Sequence, residues 1–185
     1  MHASLERVVL GEQDVQRALT RIAHEIVERN PEGRRLAIVG IHRRGAFLAG
    51  RLRELLQQLL HKPIPLGDLD IGFYRDDVAR RPDAPVVHAS HVDFDVTGRT
   101  VVIVDDVLFT GRTVRAAIEA LFDYGRPERV QLAVLADRGH RELPIRPDYV
   151  GKNLPTAPAE HVHVRVRELD GVEEVTIAPA VEAAA

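Results

Sequence analysis

The thirteen-residue run from Val101 to Thr113 constrains the fold of this chain more than any other segment. It reads Val-Val-Ile-Val-Asp-Asp-Val-Leu-Phe-Thr-Gly-Arg-Thr. The four aliphatic residues at its start predict a strand that is buried on both faces, as in a parallel sheet. Two carboxylates follow where this strand is expected to end, and apolar residues recur at helical spacing from Val114 onward. The order of strand, acidic pair, loop and helix predicts an α/β protein that binds its ligand at the rim of the sheet.

The loop after the acidic pair predicts an anion site. Backbone N–H groups in the first turn of a helix have no partner within it, and the helix dipole favours negative charge there. Thr110 and Thr113 add hydroxyl donors, and Gly111 has no Cβ to keep a phosphate away. The carboxylates of Asp105 and Asp106 can accept hydrogen bonds from sugar hydroxyls. Either half alone would indicate only a helix cap or a solvated acidic turn, but the whole run favours a sugar-phosphate site.

A second loop repeats this design earlier in the chain. An apolar run over 36–41 predicts a buried strand, and the loop His42-Arg43-Arg44-Gly45 follows it before a helical pattern begins. Arg side chains can hold phosphate oxygens through forked donors, so two anion loops at two strand ends are expected. Neither the Walker A pattern nor the Gly-x-Gly-x-x-Gly pattern occurs, which disfavours an ATPase and a dehydrogenase.

Composition limits the remaining possibilities. The 185 residues show no break in composition, which predicts a single domain over 1–185. The formal net charge of -3 argues against general affinity for nucleic acid, so any RNA site must be a local patch. The absence of cysteine excludes disulfides and thiolate metal sites. No apolar run reaches the length of a membrane span and no signal core is present, so a cytoplasmic protein without a membrane partner is expected.

Several blocks resemble one family, the PyrR proteins, which belong to the type I phosphoribosyltransferases. PyrR proteins bind pyrimidine operon mRNA and also act as uracil phosphoribosyltransferases. The blocks occur in the family's order and cover most of the chain: 17–25, 39–45, 70–77, 101–113 and 137–153. The last block is the most discriminating, since ordinary phosphoribosyltransferases do not carry it. The resemblance implies an α/β fold of the type I class, with a mainly parallel twisted sheet flanked by helices, a small hood and a flexible lid.

The resemblance also implies a reaction. Uracil and phosphoribosyl pyrophosphate (PRPP) would give UMP and pyrophosphate, with Mg²⁺ bound mainly through PRPP and without a dedicated set of protein ligands. Asp105 and Asp106 would be the catalytic pair that holds the ribose hydroxyls. The loop that binds PRPP and nucleotide would consist of Val107, Leu108, Phe109, Thr110, Gly111, Arg112 and Thr113.

Further roles are implied for residues outside this run. The pyrophosphate loop would be His42, Arg43 and Arg44, where His42 replaces a familiar Lys or Arg and has the least certain role. Tyr74 and Arg75 would begin a mobile lid over about 75–90. Arg138 would lie near the uracil base, mainly through backbone contacts.

RNA binding is the second implied activity. Two segments would form a basic surface on a homodimer, with higher oligomers left open, and this surface would bind the pyrimidine operon leader mRNA and promote transcription termination when UMP or UTP is bound. The hood loop over about 137–158 would contribute to it. The residues implied are Arg17, Thr20, Arg21, His24, His140, Arg141, Arg146 and Lys152. The alternating side chains His161, His163, Arg165 and Arg167 match no motif and indicate a solvated strand edge.

Other functions remain open from the sequence. A purine-salvage or orotate phosphoribosyltransferase without RNA binding would share the 101–113 run and the fold, but it would not explain the block 137–153. An RNA-binding regulator with a non-catalytic nucleotide-sensing site is the other alternative. The intact acidic pair and the two anion loops disfavour it.

Overall fold

A computed structural model describes residues 6–31, 33, 35–72, 74 and 89–179 of the chain. The lid predicted over 75–90 falls outside this part of the chain apart from its last two residues, and so does Arg75. Twelve elements are present in the described part. In chain order they are β1 (Arg7–Leu10), α1 (Glu12–Arg29), β2 (Leu36–Ile41), α2 (Arg44–Leu60), β3 (Leu66–Leu69), β4 (Thr100–Leu108), α3 (Arg112–Phe122), β5 (Arg129–Asp137), β6 (Tyr149–Asn153), β7 (His161–Arg165), α4 (Arg167–Asp170) and β8 (Glu174–Ala178).

The main sheet has five strands in the order β3-β2-β4-β5-β6. Every neighbouring pair in it is parallel. The central strands β2 and β4 are apolar runs because helices cover both of their faces. Residues of β4 alternate between these two faces: Val102 and Val104 join the core that contains α1 and α2, whereas Val101 and Ile103 join the core that contains α3. The expected α/β fold with a mainly parallel sheet is thus confirmed.

Strand β4 is longer than the sequence predicts, since it continues through Asp105 and Asp106 to Leu108. Its pairing with β2 reaches only Val104, but its pairing with β5 continues to the register Leu108↔Asp137. The last four residues of β4 are therefore held on one side alone. The acidic pair lies within this extension, beyond the end of its pairing with β2.

A separate antiparallel sheet has the order β1-β8-β7. It is built from the amino-terminal strand and the last two strands, and Val164, Val166 and Val175 join the core on the α1 and α2 side. The predicted hood loop over 137–158 needs correction, because residues 149–153 form β6, the edge strand of the main sheet. Buried Tyr149 lies at the start of this strand, but exposure rises along the four residues after it, so the sequence lacks the apolar run or the alternation that would predict a strand.

No helix in the described part of the chain is long and apolar enough to cross a membrane.

Candidate active site

The two loops identified in the sequence lie at neighbouring strand ends. Strand β2 leads into α2 on one face of the sheet, whereas β4 leads into α3 on the other face. Because β2 and β4 are neighbours, their connections diverge and leave a crevice at the carboxyl end of the sheet. Such a switch point is where open α/β sheets bind their ligands.

The start of α2 lies directly against the end of β4. A Cβ added to Gly45 would lie 2.6 Å from the carbonyl oxygen of Val104 and 3.2 Å from the Cα of Asp105. Only a residue without a side chain permits this approach. Arg44, which precedes Gly45, lines the same cavity as Asp106.

The two carboxylates of the acidic pair differ in exposure. Asp105 is only 6% exposed, and its Oδ1 accepts a hydrogen bond from the backbone N–H of Asp106 at 2.9 Å. Asp106 is half-buried, and its Oδ1 accepts a hydrogen bond from the N–H of Val107 at 2.8 Å. Asp106 also lines a cavity of about 200 Å³. Asp106 thus faces an open cavity, while Asp105 is buried and bonded to the backbone of the next residue.

The residues 107–113, here called the phosphate loop, enclose a cavity of about 260 Å³ together with Val114 and Glu142. Gly111 precedes the first turn of α3 with a φ of 94° and provides no side-chain cap. A φ in this range is accessible to glycine at little cost. The N–H of Arg112 donates to the hydroxyl of Thr110 at 3.3 Å. The first residues of α3 also line the open cavity at the positive end of the helix dipole, where an anion is favoured.

Residues 138–143 fasten the phosphate loop to β5. The carbonyl oxygen of Thr110 accepts hydrogen bonds from the N–H groups of Glu142 and Leu143 at 2.9 and 3.1 Å. The N–H of Arg138 donates to the carbonyl oxygen of Leu108 at 3.1 Å. The side chain of Glu142 pairs with Arg112 at 2.7 Å, so one cation of the loop is already partly neutralised.

Arg138 lies beside the phosphate loop and is 6% exposed. Its guanidinium stacks over the ring of Phe109 at 4.1 Å and donates to the carbonyl oxygens of Ala157 and Pro158. Burial lowers the pKa of this guanidinium from its usual range. The backbone N–H of Arg138 is used within the protein, and its carbonyl oxygen already accepts the hydroxyl of Thr156. Its predicted contact with uracil stays a prediction.

The second anion loop, residues 42–44, leads from β2 into α2 and includes the first residue of that helix. The backbone N–H of His42 donates to the carbonyl oxygen of Leu69 at 3.0 Å, and Arg43 is exposed at the start of the helix. Arg44 pairs with Asp170 at 2.8 Å across the gap to the small sheet. Arg43 is thus the exposed cation of this loop, whereas Arg44 already has a carboxylate partner.

The cavity beside Asp106 contains side chains that the sequence did not identify. His163 and Arg165 of β7 line it together with Arg44 and Asp170. Strand β7 is the edge strand of the small sheet and His163 is exposed, as expected for a solvated strand edge, but His163 and Arg165 also line the cavity beside Asp106. Their alternation along β7 was visible in the sequence, but nothing there indicated that the small sheet faces the acidic pair.

Tyr74, predicted to begin the lid, donates its hydroxyl to the carboxylate of Asp123 after the end of α3. This hydrogen bond raises the pKa of the phenol. Tyr74 also packs against the core that contains α3. A role of Tyr74 in closing over pyrophosphate stays a prediction.

The predicted RNA-binding residues fall into two groups, of which the first lies on α1. Arg17 pairs with Asp14 at 2.6 Å, and the hydroxyl of Thr20 donates to the carbonyl oxygen of Gln16. Arg21 donates to the carbonyl oxygens of Val150 and Gly151 at 3.1 and 2.5 Å, which brings α1 and β6 together. The side chains of His24 on α1 and Lys152 on β6 are also exposed.

The second group lies in the segment beside the phosphate loop. Nε2 of His140 is 2.6 Å from the carbonyl oxygen of Thr156, and its ring meets that of Phe109 edge-on at 6.2 Å. Arg141 donates to the carboxylate of Asp137 and to three backbone carbonyl oxygens, including that of Phe109. Arg146 is exposed. The guanidinium of Arg141 therefore has a structural role, and RNA contacts of both groups stay predictions.

A parallel sheet with an anion loop on each side of its switch point and an acidic pair between them defines the class of type I phosphoribosyltransferases. Residues 10–169 match the family described as the phosphoribosyl transferase domain. Within this class, the chain belongs to the PyrR family. It is 58% identical to the bifunctional protein PyrR of Roseiflexus sp. (strain RS-1), over 90% of this chain and 91% of that protein. It is 53% identical to the bifunctional protein PyrR of Halalkalibacterium halodurans, over 94% of this chain and 97% of that protein.

Solved structures of other phosphoribosyltransferases share the fold. A purine phosphoribosyltransferase from Pyrococcus horikoshii is 31% identical, with a TM-score of 0.60 over 79% of this chain and 86% of that one. A hypoxanthine phosphoribosyltransferase of Trypanosoma cruzi is 16% identical, with a TM-score of 0.73 over 97% of this chain and 100% of that one. The second comparison concerns the fold alone. The type I phosphoribosyltransferase fold expected from the sequence is thus confirmed.

Proposed function

We propose that this chain is a UMP- and UTP-responsive regulator that binds pyrimidine operon leader mRNA and promotes transcription termination, and that it also converts uracil and PRPP to UMP and pyrophosphate. The observation that supports this most is the pair of anion loops flanking Asp106 at the switch point, in a chain of the PyrR family. A substrate with phosphate groups at both ends of a ribose matches two anion sites with a carboxylate between them.

The reaction requires positioning more than a nucleophile. The bond from the ribose to pyrophosphate breaks as the bond to uracil forms, through a transition state with oxocarbenium character, so charge stabilisation and orientation lower the barrier. The phosphate loop binds the 5′-phosphate with the N–H groups of α3, while Arg43 binds pyrophosphate oxygens. Asp106 accepts hydrogen bonds from the ribose hydroxyls, and Asp105 keeps the backbone of Asp106 in place.

Mg²⁺ is the proposed cofactor. The donors at the crevice are carboxylate oxygens, which suit this ion, and the exposure of Asp106 to the cavity fits an ion held largely by the substrate. When bound, Mg²⁺ neutralises charge on the leaving pyrophosphate.

A uracil phosphoribosyltransferase assay tests the enzymatic half. The double variant Asp105→Asn, Asp106→Asn should reduce UMP formation by on the order of 10²-fold, because it removes charge from the transition-state environment. Asp93→Asn, which alters an exposed carboxylate in the segment before β4, is the matched control and should leave the rate unchanged. Unchanged turnover in the double variant would reject the assignment. A faster reaction with hypoxanthine or orotate than with uracil would reject the proposal that uracil is the substrate base.

The RNA half is proposed to use the basic residues on α1 and β6. Arg17 is 71% exposed at its side chain and its only ion pair in the described part of the chain is the neighbouring Asp14, so it is available to a phosphate. Arg21 holds β6 against α1, which keeps Lys152 on the same side. Directional donors of this kind suit single-stranded loops of RNA.

Affinity for leader RNA, measured over a range of salt concentrations, tests this half. Arg17→Ala should weaken binding and reduce the slope of log K against log salt by about 1, as expected for one lost phosphate contact. Arg115→Ala, which breaks a comparable ion pair with Glu119 on α3, is the control.

UMP should tighten RNA binding, and by reciprocity RNA should tighten UMP binding equally. The absence of any effect of UMP would reject the regulatory link while leaving the enzyme assignment intact.

The proposed assembly is a homodimer, which would bring the basic residues of two chains onto one RNA-binding surface. The proposed location is the cytoplasm, where a nascent leader transcript is available. Sedimentation at several protein concentrations tests the first proposal, and a stable monomer at all of them would reject it.

A further inference from the structure

Three side chains outside the acidic pair converge on one point beside the second anion loop. They are His42, Asp68 and His91, here called the histidine cluster. Nε2 of His42 lies 2.5 Å from Oδ1 of Asp68, and Nδ1 of His91 lies 3.2 Å from the same oxygen. One potential ligand atom from each residue lies within 4.8 Å of the other two.

Backbone hydrogen bonds hold these three residues in place. Asp68 and His91 form an antiparallel bridge, in which each N–H donates to the other's carbonyl oxygen at 2.9 Å. The N–H of His42 donates to the carbonyl oxygen of Leu69, the residue after Asp68. The three residues come from separate segments of the chain, yet their backbones are fixed to one another. The cluster therefore does not depend on the flexible ends of long side chains.

The chemistry of the cluster suits a transition-metal ion. Two imidazoles and one carboxylate are donors for Zn²⁺ and its neighbours in the first transition row, whereas Mg²⁺ prefers oxygen donors alone. Donor atoms about 2.0–2.2 Å from a tetrahedral Zn²⁺ are roughly 3.3–3.6 Å apart. The contact between His91 and Asp68 is already close to this spacing, whereas the donor atoms of His42 and Asp68 must move apart by roughly 1 Å. The side chain of His91 is 63% exposed and has room to turn.

A fourth coordination position would face open space. His42 and Asp68 line a cavity of about 440 Å³, together with Arg43, Ala46 and Phe47. Sites with three protein ligands and one open position differ from closed structural sites, because a water or an anion can complete the coordination. Of these lining residues, Arg43 is the exposed cation of the second anion loop.

We propose that His42, Asp68 and His91 form a binding site for one divalent transition-metal ion of the Zn²⁺ class. The ion binds through Nε2 of His42, Oδ1 of Asp68 and Nδ1 of His91, with its fourth position open to the cavity. It links the second anion loop to β3 and to the segment before β4. This gives His42 a role that the proposed phosphoribosyl transfer does not require, and metal binding can be measured without that reaction.

Metal binding by the full-length protein, first freed of metal, tests the proposal. Calorimetric titration with Zn²⁺ should give one ion per chain, and Co²⁺ should give the visible absorption bands of a tetrahedral nitrogen–oxygen site. His91→Ala and Asp68→Asn should each weaken Zn²⁺ affinity about tenfold or more. The control is His24→Ala, which removes an exposed histidine of α1 and should not change the affinity.

Thermal unfolding provides a second measurement. An ion that binds the folded protein raises its melting temperature, so Zn²⁺ should stabilise the wild type and His24→Ala but not His91→Ala. Melting temperatures without metal check that each variant folds. The proposal is overturned if Zn²⁺ does not bind with a stoichiometry of one, if all the variants bind equally, or if excess Mg²⁺ displaces Zn²⁺.

Discussion

At the scale of single residues, Arg141 has more internal partners than a solvated basic side chain would have. Its Nε donates to the carbonyl oxygen of Ile145, and its terminal nitrogens reach Phe109, Gly139 and Asp137. The bond to Phe109 spans 32 residues of sequence. It joins the segment after β5 to the phosphate loop, so the guanidinium is a cross-link between two loops.

Arg141→Ala should therefore lower the stability of the protein. Loss of hydrogen bonds from a charged donor costs about 1.5–3 kcal/mol, and the carbonyl oxygens left behind would need water. Urea unfolding measures the difference. Arg146→Ala, which shortens an exposed side chain of the same segment, should change the free energy of unfolding by less than about 0.5 kcal/mol. Equal effects of the two substitutions would contradict the cross-link.

The sequence indicated which residues are candidates for the site, but not which other side chains they contact. Asp105, Asp106 and the phosphate loop were identified because adjacent residues carry the signal. The ion pair of Arg44 with Asp170 joins residues 126 positions apart, and no local pattern indicates it. The same applies to His163 and Arg165, which reach the cavity of Asp106 only because the small sheet folds over it.

At the scale of elements, the start of α2 depends on the glycine that lies against β4. Gly45→Ala should lower stability by about 1–3 kcal/mol, because its Cβ would meet backbone atoms that cannot move alone. It should also impair UMP formation, since α2 would be displaced from the acidic pair. Chemical unfolding and the uracil assay measure the two effects.

The same helix offers a matched control for that substitution. A Cβ at Gly50 would meet nothing within 4 Å, so Gly50→Ala should be neutral or stabilise α2 by about 1 kcal/mol through helix propensity. A similar loss of stability in both variants would show that replacing any glycine of α2 lowers stability, and that the contact of Gly45 with Val104 is not the cause.

Element prediction from the sequence succeeded where burial is uniform. The apolar runs of β2 and β4 and the helical spacing of apolar residues in α3 were recognisable from the sequence. The edge strand β6 was not, because its residues Tyr-Val-Gly-Lys-Asn lack a continuous apolar run. The length of β4 was also missed, since it depends on pairing with β5 rather than on its own residues.

At the scale of the whole molecule, Asp170 connects the part of the chain that carries the small sheet to helix α2 beside the main sheet. Its carboxylate accepts a hydrogen bond from the N–H of Val166 at 2.8 Å and pairs with Arg44 of α2. Burial opposes ionisation of this group, but the hydrogen bond and the Arg44 charge outweigh it and lower its pKa below the usual 3.8. A carboxyl whose pKa is lowered by folding stabilises the folded state only when it is ionised.

Asp170→Asn should therefore destabilise the protein in a pH-dependent way. The stability difference from the wild type should be full above the unfolded pKa of about 3.8 and should shrink as the pH falls through the lower folded pKa. Urea unfolding at stepwise lower pH measures it. If the difference persists unchanged at the most acidic pH at which both proteins fold, or if Asp93→Asn behaves in the same way, the coupling is absent.

The hydrogen bonds between residues 138–143 and the phosphate loop give the molecule an internal reporter. The amide protons of Arg138, Glu142 and Leu143 are bonded to carbonyl oxygens of Leu108 and Thr110. Their exchange with solvent deuterium requires that these contacts open. A nucleotide bound in the phosphate loop should slow exchange at amides that are about thirty positions away in the chain, so occupancy of the site can be followed without a label on the ligand.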